Sequence, residues 1–144
     1  MFSKACEYGI KAAVFIAIKS QQESRVGLNE IAKEISSPVA FTAKILQKLT
    51  RNQIIDSVKG STGGYEISTK KASEITLSKI VSAIDGDSIY KGCGLGFPNC
   101  DENKPCSVHH QFKSIRNDLK EMLETTTLLD LSNDVNNGLS FLKR

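Results

Sequence analysis

A chain of 144 residues with 40% hydrophobic and 24% charged side chains and a net charge of only +3 can bury one adequate core, and its charge excludes a disordered polyelectrolyte. Its longest apolar run, Ala12 to Ile18, falls far short of the ~20 residues that cross a bilayer, and no basic, then apolar leader opens it. A cytoplasmic protein without a membrane partner is therefore expected, in which the four cysteines serve metal binding or redox chemistry rather than permanent disulfides.

Charge is unevenly placed: residues 1–71 hold 11 Lys and Arg against 6 Asp and Glu, whereas residues 72–144 hold 8 against 10. The N-terminal half is thus the candidate for nucleic acid. Ser3 opens a first helix over residues 3–20, apolar on nearly every side from Ala12 to Ile18 and so expected to be buried. Leu28, Ile31, Ala32 and Ile35 repeat at helical spacing and predict a short second helix. Ser37 as N-cap and Pro38 at the first helical position then start a third, with Phe41, Ile45, Leu46 and Leu49 as its apolar stripe. Its other side carries Ala40, Thr42, Ala43, Lys44, Gln47, Lys48 and Arg51, small and polar groups of the kind that read a major groove.

Ile54 to Val58 alternates like a strand, Lys59-Gly60-Ser61-Thr62-Gly63-Gly64 is a turn, and Tyr65 to Ser68 returns. Helix, turn, helix and hairpin make a winged helix-turn-helix, its third helix suited to the major groove and Lys59 at the wing tip suited to phosphate. The glycine turn is no nucleotide loop, because no Gly-Lys-Ser/Thr follows and a strand comes next. Residues 74–84 suggest a linking helix ended by Asp85-Gly86-Asp87.

The segment Gly92 to His109 gathers Cys93, Cys100 and Cys106, separated by six and five residues, with His109 following Cys106 after two more. Four soft or borderline ligands at this spacing can converge on one metal centre. Iron–sulfur, bare redox-active thiols and zinc are the three readings, zinc being disfavoured by the absence of close Cys-x-x-Cys pairs. Beyond the loop, Phe112, Ile115, Leu119 and Met122 form a narrow apolar seam at heptad spacing, suited to a partner helix in a homodimer. Residues 126–144 read as a short helix with a loosely ordered end.

Tyr8-Gly9, Leu28-x-x-Ile31-Ala32, Leu49-x-x-Asn52 and Val58-Lys59-Gly60-x-x-Gly63-Gly64-Tyr65, followed by the three-cysteine loop, resemble the BadM/IscR/NsrR family of bacterial winged-helix regulators, the Rrf-type regulators, over nearly the whole chain. The resemblance implies a homodimer on a palindromic double-stranded DNA operator, with Ala40, Ala43, Lys44, Gln47 and Lys59 as reading positions. Ala40 and Ala43 depart from the polar residues of well-known relatives, and a first cysteine gap of six replaces the familiar five. It also implies an iron–sulfur cluster on the three cysteines: [2Fe-2S] with His109 as fourth ligand is favoured, and [4Fe-4S] with Glu7, reaching across the dimer, is the alternative.

The expected architecture is mainly α with a small β wing. Residues 1–71 form a DNA-binding winged helix-turn-helix, and residues 72–144 a linking helix, a cluster-binding loop over 92–109 and a long dimerisation helix. The expected function is a redox-, nitric oxide- or iron–sulfur-sensing transcriptional regulator. A small iron–sulfur redox protein is the rival, but no second cofactor motif and no catalytic set of side chains stands out, so no enzyme activity is expected.

Overall fold

The computed structural model describes residues 1–143. Among the described residues there are seven α-helices, α1 (Lys4–Gln21), α2 (Leu28–Glu34), α3 (Val39–Arg51), α4 (Thr69–Glu74), α5 (Leu77–Ile84), α6 (His109–Thr125) and α7 (Leu128–Asn136), and one hairpin of β1 (Asp56–Val58) and β2 (Gly64–Glu66). This is the winged helix-turn-helix expected from the sequence. None of the described helices is long and apolar enough to cross a membrane.

Helix α1 is the axis of the molecule. Ser3 caps it, its hydroxyl accepting from the Cys6 N–H, and Asp85 accepts in turn from the Ser3 N–H at 2.9 Å. Every residue from Ala12 to Ile18 is buried, because α2, α3, α4, α5, α7 and β2 all pack around this helix. Gly9 marks a close approach: a Cβ there would stand 2.2 Å from Ile84 Cδ1, so any larger residue would force the Ile84 side chain on α5 to move.

The core does not divide at residue 71. Ile75, Leu77, Ile80, Val81, Leu123 and Leu128 join the same buried cluster as Ile16, Ile31, Leu46 and Leu49. The linking helix expected over residues 74–84 starts later, as α5: α4 ends at Glu74, Thr76 is extended and pairs with Thr127, and α5 follows from Leu77. The Leu77 N–H donates to Thr126 at 2.9 Å and the Leu128 N–H to Ile75 at 2.8 Å, so this pairing fixes the start of α7. A reciprocal cap between Thr127 and Asp130 completes that start, and α7 then lies on α1, with the Gln21 side-chain amide donating to Ser132 at 3.2 Å. The short helix expected within residues 126–144 is α7, and it is an integral wall of the core.

Helix α3 differs from expectation in two ways. It starts at Val39, with Pro38 in extended geometry at the cap, while the Ser37 hydroxyl caps nothing. The buried stripe is Thr42, Ile45, Leu46 and Leu49, an i, i+3, i+4, i+7 set, and Phe41 stands partly exposed against Tyr8 at a ring separation of 5.9 Å. Thr42 therefore leaves the set of groove-reading candidates: it is 0% exposed, and its hydroxyl donates to the Pro38 carbonyl at 2.9 Å, which satisfies it inside the core. Thr42→Ala should cost about 1 kcal/mol of stability in denaturant unfolding while leaving operator preference unchanged. A changed base preference would return Thr42 to the reading face.

Candidate functional site

On the solvent side of α3, Ala40, Lys44, Gln47 and Lys48 are exposed and Ala43 is half-buried. The hairpin that follows pairs Asp56 with Glu66, Ser57 with Tyr65 and Val58 with Gly64, which leaves Lys59 and Gly60 to Gly63 as the projecting turn. Val26, just before α2, adds a bridge to Tyr65, its carbonyl accepting the Tyr65 N–H at 2.8 Å. Arg25 then clamps the wing: Nε meets Glu66 Oε2 at 2.8 Å and Nη1 donates to the Thr62 carbonyl at 3.3 Å. The sequence reading missed this residue; a lone arginine in a polar connector gives no periodic signal. Among the described residues Lys44, Lys48 and Lys59 enter no ion pair, so their charge is open to an external anion, and nucleic acid phosphate is the polyanion that a protruding helix and wing fit.

The thiol loop is positioned from both ends. At its start, Asp87 accepts from Lys91, Ser82 and Tyr90, which holds its carboxyl down at about 2 and fixes the short 3-10 turn Ser88–Tyr90. At its end the chain runs into α6. Gly94 lies on the ring of Phe112, where a Cβ would come within 2.6 Å, and Lys113 pairs with Glu102. The loop is thus laid against the first turns of α6.

Cys93, Cys100, Cys106 and His109 together line one cavity of about 420 Å³, whose walls also include Phe97, Pro98 and Pro105. Its donors stand in pairs. Cys100 Sγ lies 3.4 Å from His109 Nδ1, and the N–H groups of Leu95 and Phe97, aided by the Cys106 side chain, hold the Cys93 thiol below its usual range. The expected convergence of four ligands on a single ion is not present: among the described residues no three His, Cys, Asp or Glu side chains gather at one point.

The donor set nevertheless suits a bound cluster. His109, a residue of that cavity, is 3% exposed, and while its Nδ1 stands by the Cys100 sulfur its buried Nε2 has no hydrogen-bond partner. Amide N–H groups directed at a cysteine sulfur favour a thiolate, the ligating form. A cluster presents several iron atoms, so its ligands need not meet at a point as those of a mononuclear zinc must. His110, on the exposed side of α6, does not line the cavity. Neither does Glu7: it sits on α1 and pairs with Lys4 at 3.1 Å, whereas within one chain His109 lines the cavity and stands beside a cysteine sulfur. Cys6 takes no part, being fully buried in the core, with burial and the neighbouring Asp85 pushing its thiol up to about 12.

Helix α6 has two working faces. His109, Arg116 and Leu123, spaced by seven, are buried inward, while Phe112, Ile115 and Met122 are exposed and Leu119 is half-buried against the core. Arg116 is a second residue the sequence reading missed. Its signal was available, because it stands two turns after His109 on the same face as that expected ligand.

The family of iron-dependent transcriptional regulators designated Rrf2 matches residues 2–134. A protein of Aquifex aeolicus bearing an HTH-type transcriptional regulator name is 30% identical over 135 residues, covering 92% of this chain and 92% of its own length. The HTH-type transcriptional regulator IscR of Pectobacterium atrosepticum is 27% identical over 127 residues, 88% of this chain and 76% of its own length. Among solved structures, CymR, the global cysteine regulator of B. subtilis, superposes with a TM-score of 0.75 at 22% identity over 92% of this chain and 96% of that one, which speaks to the fold alone.

Proposed function

The chain belongs to the Rrf2 family of transcriptional regulators, and from that premise we propose that it acts in the cytoplasm as a homodimer on a palindromic DNA operator, its affinity set by an iron–sulfur cluster held by Cys93, Cys100, Cys106 and His109. The observation that carries this reading is the cavity those four side chains share, with the buried Nε2 of His109 lacking any partner. When bound, such a cluster supplies a group that oxidants or nitric oxide alter. The chain's own residues do the rest: the Leu95 and Phe97 amides lower the Cys93 thiol from its usual range, Pro98 and Pro105 help line the cavity, and Asp87 fixes where the loop begins.

Ala40, Ala43, Lys44, Gln47 and Lys48 from α3 enter the major groove in this reading, and the Lys59 turn meets phosphate. The loop reaches the reading heads through α6 and α5, since α6 packs on α5 and α5 packs on α1 and α3. A shift of the loop would then be transmitted through packed helices rather than through a flexible linker.

Protein purified without oxygen should contain iron and acid-labile sulfide, show cluster absorption in the visible range, and bind a selected operator with an affinity that changes when the cluster is destroyed. Zinc retained through oxidation, or metal-free thiols with oxidant-dependent binding, would replace the cluster reading with one of its alternatives. Independently of the cofactor, Lys59→Ala should weaken binding across all sequences and reduce the slope of log K against log salt by about 0.9, whereas Gln47→Ala should cost about 1–3 kcal/mol at one base pair only. An unchanged salt slope in Lys59→Ala removes the wing from the interface.

A further inference from the structure

Arg116 is 9% exposed on the inner face of α6, yet it enters none of the ion pairs among the described residues. Its Nη1 donates to the carbonyl of Gly92, the first residue of the loop, and its Nη2 stands 3.3 Å from Cys100 Sγ. The Nε is buried without a partner. A guanidinium is always charged, and a buried charge with no counter-charge costs several kcal/mol, so a cation is normally retained in such a place only where an anion faces it. The adjoining cavity is lined by three thiols, Asp101 and Lys104, and of its potential anions it is the Cys100 sulfur that Arg116 contacts.

We propose that Arg116 is a positioning residue of the thiol cavity, which pins the loop entry and the middle cysteine to α6 and makes the cavity selective for a negatively charged occupant. The proposal rests on the cluster reading above and names a role for a residue that is itself no ligand. Two turns of one helix place both His109 and Arg116 at Cys100: the imidazole Nδ1 lies 3.4 Å from that sulfur and the guanidinium Nη2 3.3 Å from it. Three thiolates around a cluster give the loaded site net negative charge, and one-electron reduction adds another, so a fixed cation 3.3 Å from a ligating sulfur favours the reduced state. No bond in the chain forms or breaks in that step; the electron passes from an external low-potential reductant to the cluster iron.

The test reconstitutes wild type, Arg116→Gln and Arg116→Lys with iron and sulfide under anaerobic conditions. Each is then titrated with dithionite in the presence of mediators, and iron release to a chelator is followed. Arg116→Gln should be harder to reduce by a factor of about ten, which for one electron is a potential lower by about 59 mV, and should release iron several-fold faster. Arg116→Lys, which keeps the charge and loses the fork, should recover the potential but not the slow release. Equal potentials in wild type and Arg116→Gln would overturn the proposal. So would loss of the cluster from both variants with far-ultraviolet circular dichroism unchanged, since charge would then not be the property that matters. A cluster lost from Arg116→Gln and present in Arg116→Lys supports it. Failure of the wild type itself to take up iron and sulfide refutes the cluster reading instead.

Discussion

Ile115→Glu is expected to turn the protein into a monomer and to abolish tight operator binding. Ile115 is 58% exposed on α6 and flanked on the same face by Phe112 and Met122, an apolar strip that its own chain leaves largely open. A glutamate there leaves the isolated chain unharmed but places an unpaired carboxylate inside any interface formed by two such helices. That should raise the dimer dissociation constant on the order of 100-fold. Operator affinity falls with it, because two half-sites a helical turn apart must be held by one particle. Leu119, at the centre of the seam as read from sequence, makes a poorer probe: it is half-buried against the core of its own chain, so a charge there confounds folding with assembly. Sedimentation velocity decides, and an Ile115→Glu protein that remains dimeric assigns the interface elsewhere.

Cys100→Ser is expected to remove iron and sulfide from the protein, with metal affinity reduced about 100-fold or more, whereas Cys6→Ala should keep both. Cys100 is the sulfur that His109 and Arg116 both approach, so its loss empties the centre of the cavity. Cys6 is sealed in the core beside Asp85, far outside the ligand set in its chemistry as in its burial. Iron and sulfide analysis with visible spectra of anaerobic preparations gives the answer, and full cluster content in Cys100→Ser would withdraw that residue as a ligand. The same spectra rank the fourth donor: bleaching in His109→Ala with Glu7→Ala unaffected assigns it to the imidazole, and the opposite pattern to a carboxylate donated across the dimer.

How far the sequence reached depends on the kind of information each feature needs. Local patterns were decisive for α1, for the hairpin and for the ending of α5 at Asp85, because capping, alternation and turn chemistry act within a few residues. The thiol cavity was legible for a related reason. Its four lining donors fall within 17 residues, Cys93 to His109, so the spacing alone brings them near one another. The stripe of α3 was nearly legible, but hydrophobicity ranks Phe41 above Thr42, while a threonine whose hydroxyl returns to the carbonyl four residues earlier packs as an apolar side chain.

By itself, then, the sequence determined the order of helix, turn, helix and wing, the basic half and the set of sulfur donors, all of which depend on near neighbours in the chain. Only the tertiary structure decided that α7 walls the core, that Arg25 braces the wing and that Arg116 faces Cys100. Each of these joins segments distant in sequence: Thr76 with Thr127, Arg25 with Glu66, Arg116 with Gly92. Such pairings are selected when the whole core closes around α1, since a lone arginine or a short polar helix is equally at home in solvent until the packing of other elements leaves it one place to go.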